Sequence, residues 1–441
     1  MRVRGWFVDV RPLRGSRPFR ELWIGSAASQ LGGQIATVAV LAQVWDLTGS
    51  PVGTGAIGLA TGLPMVLFGL LGGTLADAVD RRALVRATTT GQLAAAAGLC
   101  GQALAGSRNV LLLLTLVALG AACNALGAPA RRTFPVRLLP PDQVAAGLAL
   151  TNVSFQAAML AGPALAGLII ARWGLPAAYA AQVAAAGISV LTAIRLPVMR
   201  PDGTDATGGA RRCRPERAGE GWSRRLGRRP PKRGGQWLVL RRPTLWGSMA
   251  TDLSATLLAM PIALFPLVNE ARFDGNPQNL GLFLSAVAVG GITAGLLSGA
   301  VTRRRRSGLV QLAAAGAWGL ALAAFGLAGQ LWTALACLAL AGAADTVSVV
   351  TRSALVQLET PEAYRGRISS VEHVIGVAGP ELGNFRGGLL ASATSASFAL
   401  VTGGLSAVLA ITAVAATNRP LRTYRTPPAL REPSAARGVP K

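Results

Sequence analysis

The sequence predicts an all-α integral membrane protein: twelve transmembrane helices in two pseudo-symmetric six-helix bundles. Three observations predict it. Of the 441 residues, 51% are hydrophobic and only 14% are charged, where a soluble domain carries about 25% charged residues. Those charges gather in short runs between long stretches that hold almost none. A span needs roughly 20 mostly apolar residues to cross the ~30 Å hydrocarbon layer, and no soluble core needs so many such stretches in a row. Landmarks of the first half of the chain also return in the second, in order and at a nearly constant offset.

Near-chargeless runs place spans at 22–45, 52–75, 83–104, 110–130, 147–170 and 175–197. A second set follows at 244–267, 279–301, 308–328, 331–352, 367–391 and 395–416. Span one is entered through Arg17-Pro18 and Leu22-Trp23, span seven through Arg242-Pro243 and Leu245-Trp246. Span two ends on Gly69-x-x-x-Gly73-Thr-Leu-Ala-Asp77-Ala-Val-Asp-Arg81-Arg82. Span eight ends on Gly291-x-x-x-Gly295-Leu-Leu-Ser-Gly299-Ala-Val-Thr-Arg303-Arg304, 222 residues later. Gly162-Pro163-Ala-Leu-Ala-Gly167 in span five is echoed by Gly379-Pro380-Glu-Leu-Gly-Asn384 in span eleven. A duplicated six-span unit follows, and such repeats characterise transporter folds. The expected organisation is a first half over 1–197, a solvated Arg-, Gly- and Pro-rich linker over 198–243, a second half over 244–417 and a tail over 418–441.

The arginines set the expected orientation. With both termini cytoplasmic, the inner segments hold the N-terminal arginines, Arg81, Arg82, Arg131, Arg132, Arg137, the linker, Arg303 to Arg306, Arg365, Arg367 and the tail. The outer loops hold only Arg108, Arg172 and Arg272. Retention of positive charge on the cytoplasmic side predicts that arrangement in a bacterial inner membrane. It also accounts for the net charge of +24 without a nucleic-acid partner. The linker arginines suit acidic lipid head groups, though a plain solvated tether explains them too. Lysine occurs only at Lys232 and Lys441. The Arg-rich N-terminus leads into a full span with no small-x-small cleavage site, which reads as an uncleaved signal-anchor.

Gly73-x-Leu75-Ala76-Asp77-x-x-Asp80-Arg81-Arg82 sits where span two must turn sharply. Its glycines allow close helix approach, and its charges can bond passing helix ends. This stretch resembles the signature between spans two and three of the major facilitator superfamily, with Asp80 and Ala78 departing from it. In that family the aspartate and arginine steady the outward-open state. Ala158-x-x-x-Gly162-Pro163-x-x-Ala166-Gly167 looks like a relaxed form of the family's antiporter motif. A purely structural proline kink accounts for the same residues.

The resemblance covers essentially the whole chain. Asp9-Val-Arg-Pro-Leu-Arg14, Phe19-Arg20-x-Leu22-Trp23 and Pro361-Glu362-x-x-Arg365-Gly-Arg367 point to the branch of siderophore exporters, the enterobactin exporter among them, and macrolide efflux proteins. It implies rocker-switch alternating access driven by proton antiport, with a siderophore or related natural product as cargo. A broad multidrug pump is the alternative, and an uptake permease or a multi-pass enzyme a more remote one.

Charge inside a bilayer is costly by roughly 3 kcal/mol or more, which marks a functional candidate. Asp345, Glu381 and Asp252 are the candidates for carrying the proton, with Glu372 and His373 nearer the interface. Gln30, Gln34, Asn124, Asn152, Gln156 and Arg386 are candidates for the cargo cavity, Arg386 also as counter-ion to a carboxylate. Interhelical hydrogen bonds of packing value alone would explain the amides equally. The single histidine and the scattered Cys100, Cys123, Cys213 and Cys337 make no metal spacing. No Walker A sequence is present. The expectation is a transporter and not an enzyme, without cofactor or metal. A small-molecule cargo, protons and membrane lipids are its partners, and a monomer is its state.

Overall fold

A computed structural model describes residues 9–140, 143–196, 241–297, 306–361 and 364–425. Most of the expected linker, with Cys213 and Lys232, lies outside the described residues. A short helix α1 (Arg11–Gly15) precedes α2 (Arg17–Thr48), α3 (Pro51–Ala78), α4 (Arg81–Leu104), α5 (Val110–Leu138) and α6 (Val144–Ile194). There follow α7 (Pro243–Ala259), a 3-10 turn (Ile262–Leu264), α8 (Phe265–Arg272), α9 (Pro277–Leu296) and α10 (Ser307–Leu327). The last are α11 (Leu331–Glu359), α12 (Arg365–Ala393), α13 (Ala396–Thr417) and the short α14 (Arg419–Thr423).

Among the described residues, nine helical segments are long and apolar enough to cross a membrane. One of them is nearly all of α6, whose 51 residues would measure roughly 75 Å if straight. It is not straight. Gly174 has φ 79° and ψ 178°, a backbone state open to glycine and costly for other residues. The spans expected at 147–170 and 175–197 are therefore the two limbs of α6, two helices that meet at Gly174. Neighbouring contacts give the directions. Phe19 packs near Gly147, the Trp23 indole donates to the Leu150 carbonyl at 3.1 Å, and Gln34 abuts Gly162. The first limb thus runs parallel to α2. Gly25 lies against Thr192, Gly32 against Ala185 and Gln43 against Tyr179, so the second limb runs antiparallel.

Span seven, expected as one helix, is broken. Pro261 forces its predecessor towards extended backbone, and Met260 has φ −74° and ψ 123°. Lipid offers no hydrogen bonds, so the groups freed by the break need partners inside the protein. The Arg386 guanidinium donates to the carbonyls of Leu257, at 2.9 Å, and Leu258. The Ala263 N–H donates to Asn384 Oδ1 at 3.2 Å, and its carbonyl accepts the Thr54 hydroxyl at 2.7 Å.

Residues 9–16 and 418–425 lie at the same end of the bundle, here the proximal end. Each anchors the helices beside it. Ser16 Oγ donates to the Leu138 carbonyl at 3.2 Å, and Arg242 donates to the Glu359 carbonyl at 2.6 Å. Leu138 and Glu359 are the ends of α5 and α11, so the same clasp recurs near the sequence offset. Asn418 Nδ2 donates to the Pro243 carbonyl at 2.5 Å, and Leu421 is fully buried. Burial and the adjacent Glu359 carboxylate push the Tyr424 phenol up to about 12.

Helices α9 and α11 touch backbone to backbone. A Cβ at Gly290 would lie 1.7 Å from the Ala339 carbonyl oxygen, and one at Gly342 2.0 Å from that of Val287. Small residues are what permits such approach in a membrane. Gly290→Ala is expected to destabilise the purified protein by about 1–3 kcal/mol, read as a lowered melting midpoint in detergent. Gly295→Ala, with no atom within 4 Å of the new Cβ, should leave the midpoint unchanged or raise it. Equal effects would contradict this packing.

Candidate functional site

The helices form two sets, α1–α6 and α7–α14, that meet along two seams. In one, α3 packs antiparallel to α12: Gly55 faces Asn384 and Phe385, and Gly388 faces Pro51. In the other, α6 packs antiparallel to α9. Gly281 sits against the Pro163 carbonyl, Gly167 against Gln278, and Ser285 Oγ donates to the Leu160 carbonyl at 2.9 Å. The Trp45 indole donates to Glu270 across the same end. Among the described residues, these contacts run from the distal end to the middle of the bundle. Among the described residues, the two sets are joined at the distal end.

Glu381 stands where the first seam is tightest. A Cβ at Gly58 would lie 2.6 Å from the Glu381 carbonyl oxygen, and one at Gly62 2.7 Å from the Glu381 Cβ. The two glycines form the groove that admits this side chain. Thr61 and Asn384 are polar neighbours of its carboxylate. The Thr61 hydroxyl donates to the Ile57 carbonyl at 2.9 Å, and Asn384 Oδ1 accepts from the Ala263 N–H.

A charge cluster lies within the second set. Arg352 Nη1 donates to Asp252 Oδ2 at 2.9 Å, both side chains being 7% exposed. Arg352 Nε stands 3.9 Å from Glu372 Oε1 and has no hydrogen-bond partner. Ser353 Oγ donates to that same carboxylate at 3.1 Å. Asp345, one face along α11, lies within the field of both Asp252 and Arg352. One guanidinium thus faces carboxylates from α7 and α12, with Asp345 of α11 beside them.

The structure brings Asp252, Asp345 and Glu372 together and places Glu381 apart, on the seam between the sets. Arg386 caps the broken α7. Gly162, Pro163 and Gly167 line the α6 surfaces against α2 and α9, while Gly379 packs on Thr256 of α7, with Pro380 half-buried beside it. Gln30 has a buried oxygen without a partner. Gln34 is half-buried, Asn152 exposed and Gln156 half-buried. Asn124 accepts hydrogen bonds from Arg131 and Gln92. The side chains of Gly73, Asp77, Arg81 and His373 lie outside the described residues. Arg82 and Arg86 donate to the Ile194 carbonyl at the end of α6. Sequence reasoning missed Arg352, Thr54 and Thr61. A basic residue two turns from a membrane carboxylate, Arg352 after Asp345, would have been the signal for the first.

The comparisons accord with this architecture. A family model described as transmembrane secretion effector matches residues 9–429. The enterobactin exporter EntS of Citrobacter koseri is 25% identical over 435 residues, covering 97% of this chain and 98% of its own. Two solved structures share the fold. The nucleoside transporter NupG has a TM-score of 0.68 at 14% identity, over 91% of this chain and 99% of its own. A D-xylose-proton symporter has 0.67 at 14%, over 90% and 96%.

Removing one partner of a buried ion pair costs about 3–5 kcal/mol because the other charge is stranded. Arg352→Gln should therefore lower the melting midpoint sharply, and adding Asp252→Asn should recover most of the loss. A double variant no more stable than the single one would show that the pair does not compensate itself.

Proposed function

Because this chain belongs to the transmembrane secretion effector family of major facilitator transporters, we propose that the small molecule it exports is a siderophore or related natural product. Proton antiport with alternating access is the proposed drive. The cargo class rests on the full-length likeness to the enterobactin exporter. The coupling ion rests on the cluster of Asp252, Asp345, Arg352 and Glu372. A surplus of carboxylates over cations, in surroundings that penalise unpaired charge, is what a proton-carrying site requires.

Asp345 is the proposed carrier. Asp252 is held by Arg352 and Glu372 by Ser353, whereas no hydrogen bond engages the Asp345 carboxylate among the described residues. Glu381 has a second role in this reading, as a latch between the sets. The proposed topology has both termini cytoplasmic and twelve crossings, with α4, α12 and both limbs of α6 crossing beside the other spans. The proximal end is then the cytoplasmic one, and the joined distal seams describe an inward-facing state. The Gly73, Asp77, Arg81 and Arg82 stretch is the proposed gate of the opposite state. A monomer of two six-helix halves, 1–197 and 244–417, suffices for this cycle.

Asp345→Asn is expected to abolish pH-driven export from cells while leaving membrane abundance intact. Export of a labelled catecholate siderophore into inverted vesicles, with and without an imposed pH gradient, reads the effect. Normal gradient-driven transport by the variant would remove Asp345 from the proton path. Survival on macrolide plates with no siderophore transport would replace the cargo class by the multidrug one.

A further inference from the structure

Among the described residues, the arginines that reach into the bundle are neutralised in one of two ways, and one departs from both. Arg352 and Arg242 bond carboxylates. Arg82 and Arg86 bond the last carbonyls of α6, Arg272 those ending α10, and Arg386 those ending α7. A helix C-terminus carries about half a negative charge, so each of these cations meets an opposite field. Arg131 does neither. Its Nη2 donates to Asn124 Oδ1 at 2.7 Å and to the Asn124 carbonyl at 3.0 Å. Asn124 lies in the middle of α5, where no dipole end is available, and its side chain is neutral. No carboxylate pairs with Arg131 among the described residues.

The surroundings are built to hold the guanidinium there. The side chain runs back two turns along α5 to reach Asn124. A Cβ at Gly127 would lie 2.8 Å from Arg131 Nη1 and 2.5 Å from the Thr88 hydroxyl, so glycine leaves the space that the cation occupies. Gln92 of α4 donates to Asn124 Oδ1 at 3.4 Å, which turns that amide oxygen towards both donors. Among the described residues, the remaining donors, Nε and Nη1, are unengaged, and they are not sealed off. A planar fork with free N–H groups matches a carboxylate or an acidic phenol.

We infer that Arg131, positioned by Asn124 and Gln92, is a recognition point for an anionic group, so the cargo carries a carboxylate or catecholate-type anion. The inference rests on the export reading and narrows its substrate class. It divides the labour between the sets: the first supplies the cation that selects the cargo, and the second supplies the acids that carry the proton. Charge-assisted bonds of this kind contribute on the order of tenfold to a hundredfold in affinity.

The test uses the full-length protein in lipid nanodiscs, with salicylate as the anionic probe and salicylamide as its neutral counterpart. Melting midpoints are recorded across probe concentration for wild type, Arg131→Gln, Arg131→Lys and Asn124→Leu. Salicylate should raise the wild-type midpoint and salicylamide should not. Arg131→Gln should weaken the salicylate response at least about tenfold, Arg131→Lys should retain part of it, and Asn124→Leu should weaken it with the charge still present. Equal responses to both probes, no response to salicylate, or an unchanged response in Arg131→Gln would each overturn the inference. If Arg131→Gln fails to fold, Arg131→Lys and Asn124→Leu decide the matter. Inverted-vesicle transport separates the two readings. Export of a labelled anionic siderophore unaffected by Arg131→Gln defeats the anion site alone. Absence of any export beside Arg131-dependent salicylate binding defeats the export reading alone.

Discussion

Lipid cannot hydrogen-bond, and the break in α7 is where that constraint weighs most heavily on this fold. Pro261 interrupts the helix and leaves backbone groups near mid-bundle without their usual partners. Three side chains supply them. Arg386 and Asn384 reach from α12, and Thr54 reaches from α3 in the other set of helices. A local defect thereby becomes a joint between the two sets. Glu381 stands beside the same joint, in a groove that Gly58 and Gly62 leave open. Movement of α3 away from α12 must remake these bonds, so the distal seam is a two-state contact and not a sliding one.

Electrostatics follow from the same scarcity of partners. Most buried arginines are spent on closing helix ends, which is structural work. Among the described residues, the other buried charges are divided unequally between the sets. The second set holds the acidic cluster around Arg352, and the first holds a guanidinium backed only by amides. In the proposed cycle the second set handles the proton and the first the cargo.

Much of the fold was legible because its signal is crude: helices that face lipid exclude charge, and exclusion over about 20 residues is hard to miss. The clasps at Leu138 and Glu359 show the repeat again, in contacts as well as in letters. The site was legible only where a carboxylate interrupted an apolar run, as at Asp252, Asp345 and Glu381. Arg131 and Arg352 escaped because each stood at the edge of an expected span, 110–130 and 331–352, where an arginine reads as topology. In the structure α5 continues to Leu138 and α11 to Glu359, so both arginines lie inside their helices. Thr54 and Thr61 were silent because a threonine in a helix ordinarily bonds its own preceding turn. The reversal at Gly174 was legible only as a loop, since nothing in Trp173-Gly174-Leu175 says that helix resumes at once.

The central claim is that the distal seam opens as the proximal end closes. Pulsed electron paramagnetic resonance on spin labels tests it directly, with the native cysteines first replaced. One pair, at Ser50→Cys and Asp274→Cys, reports the distal end, and a second, at Arg14→Cys and Thr423→Cys, reports the proximal end. The account predicts two populations whose distal distance lengthens as the proximal one shortens, with Thr54→Val shifting weight towards the distally open form. A single population at both ends, or distances that lengthen together, would contradict it.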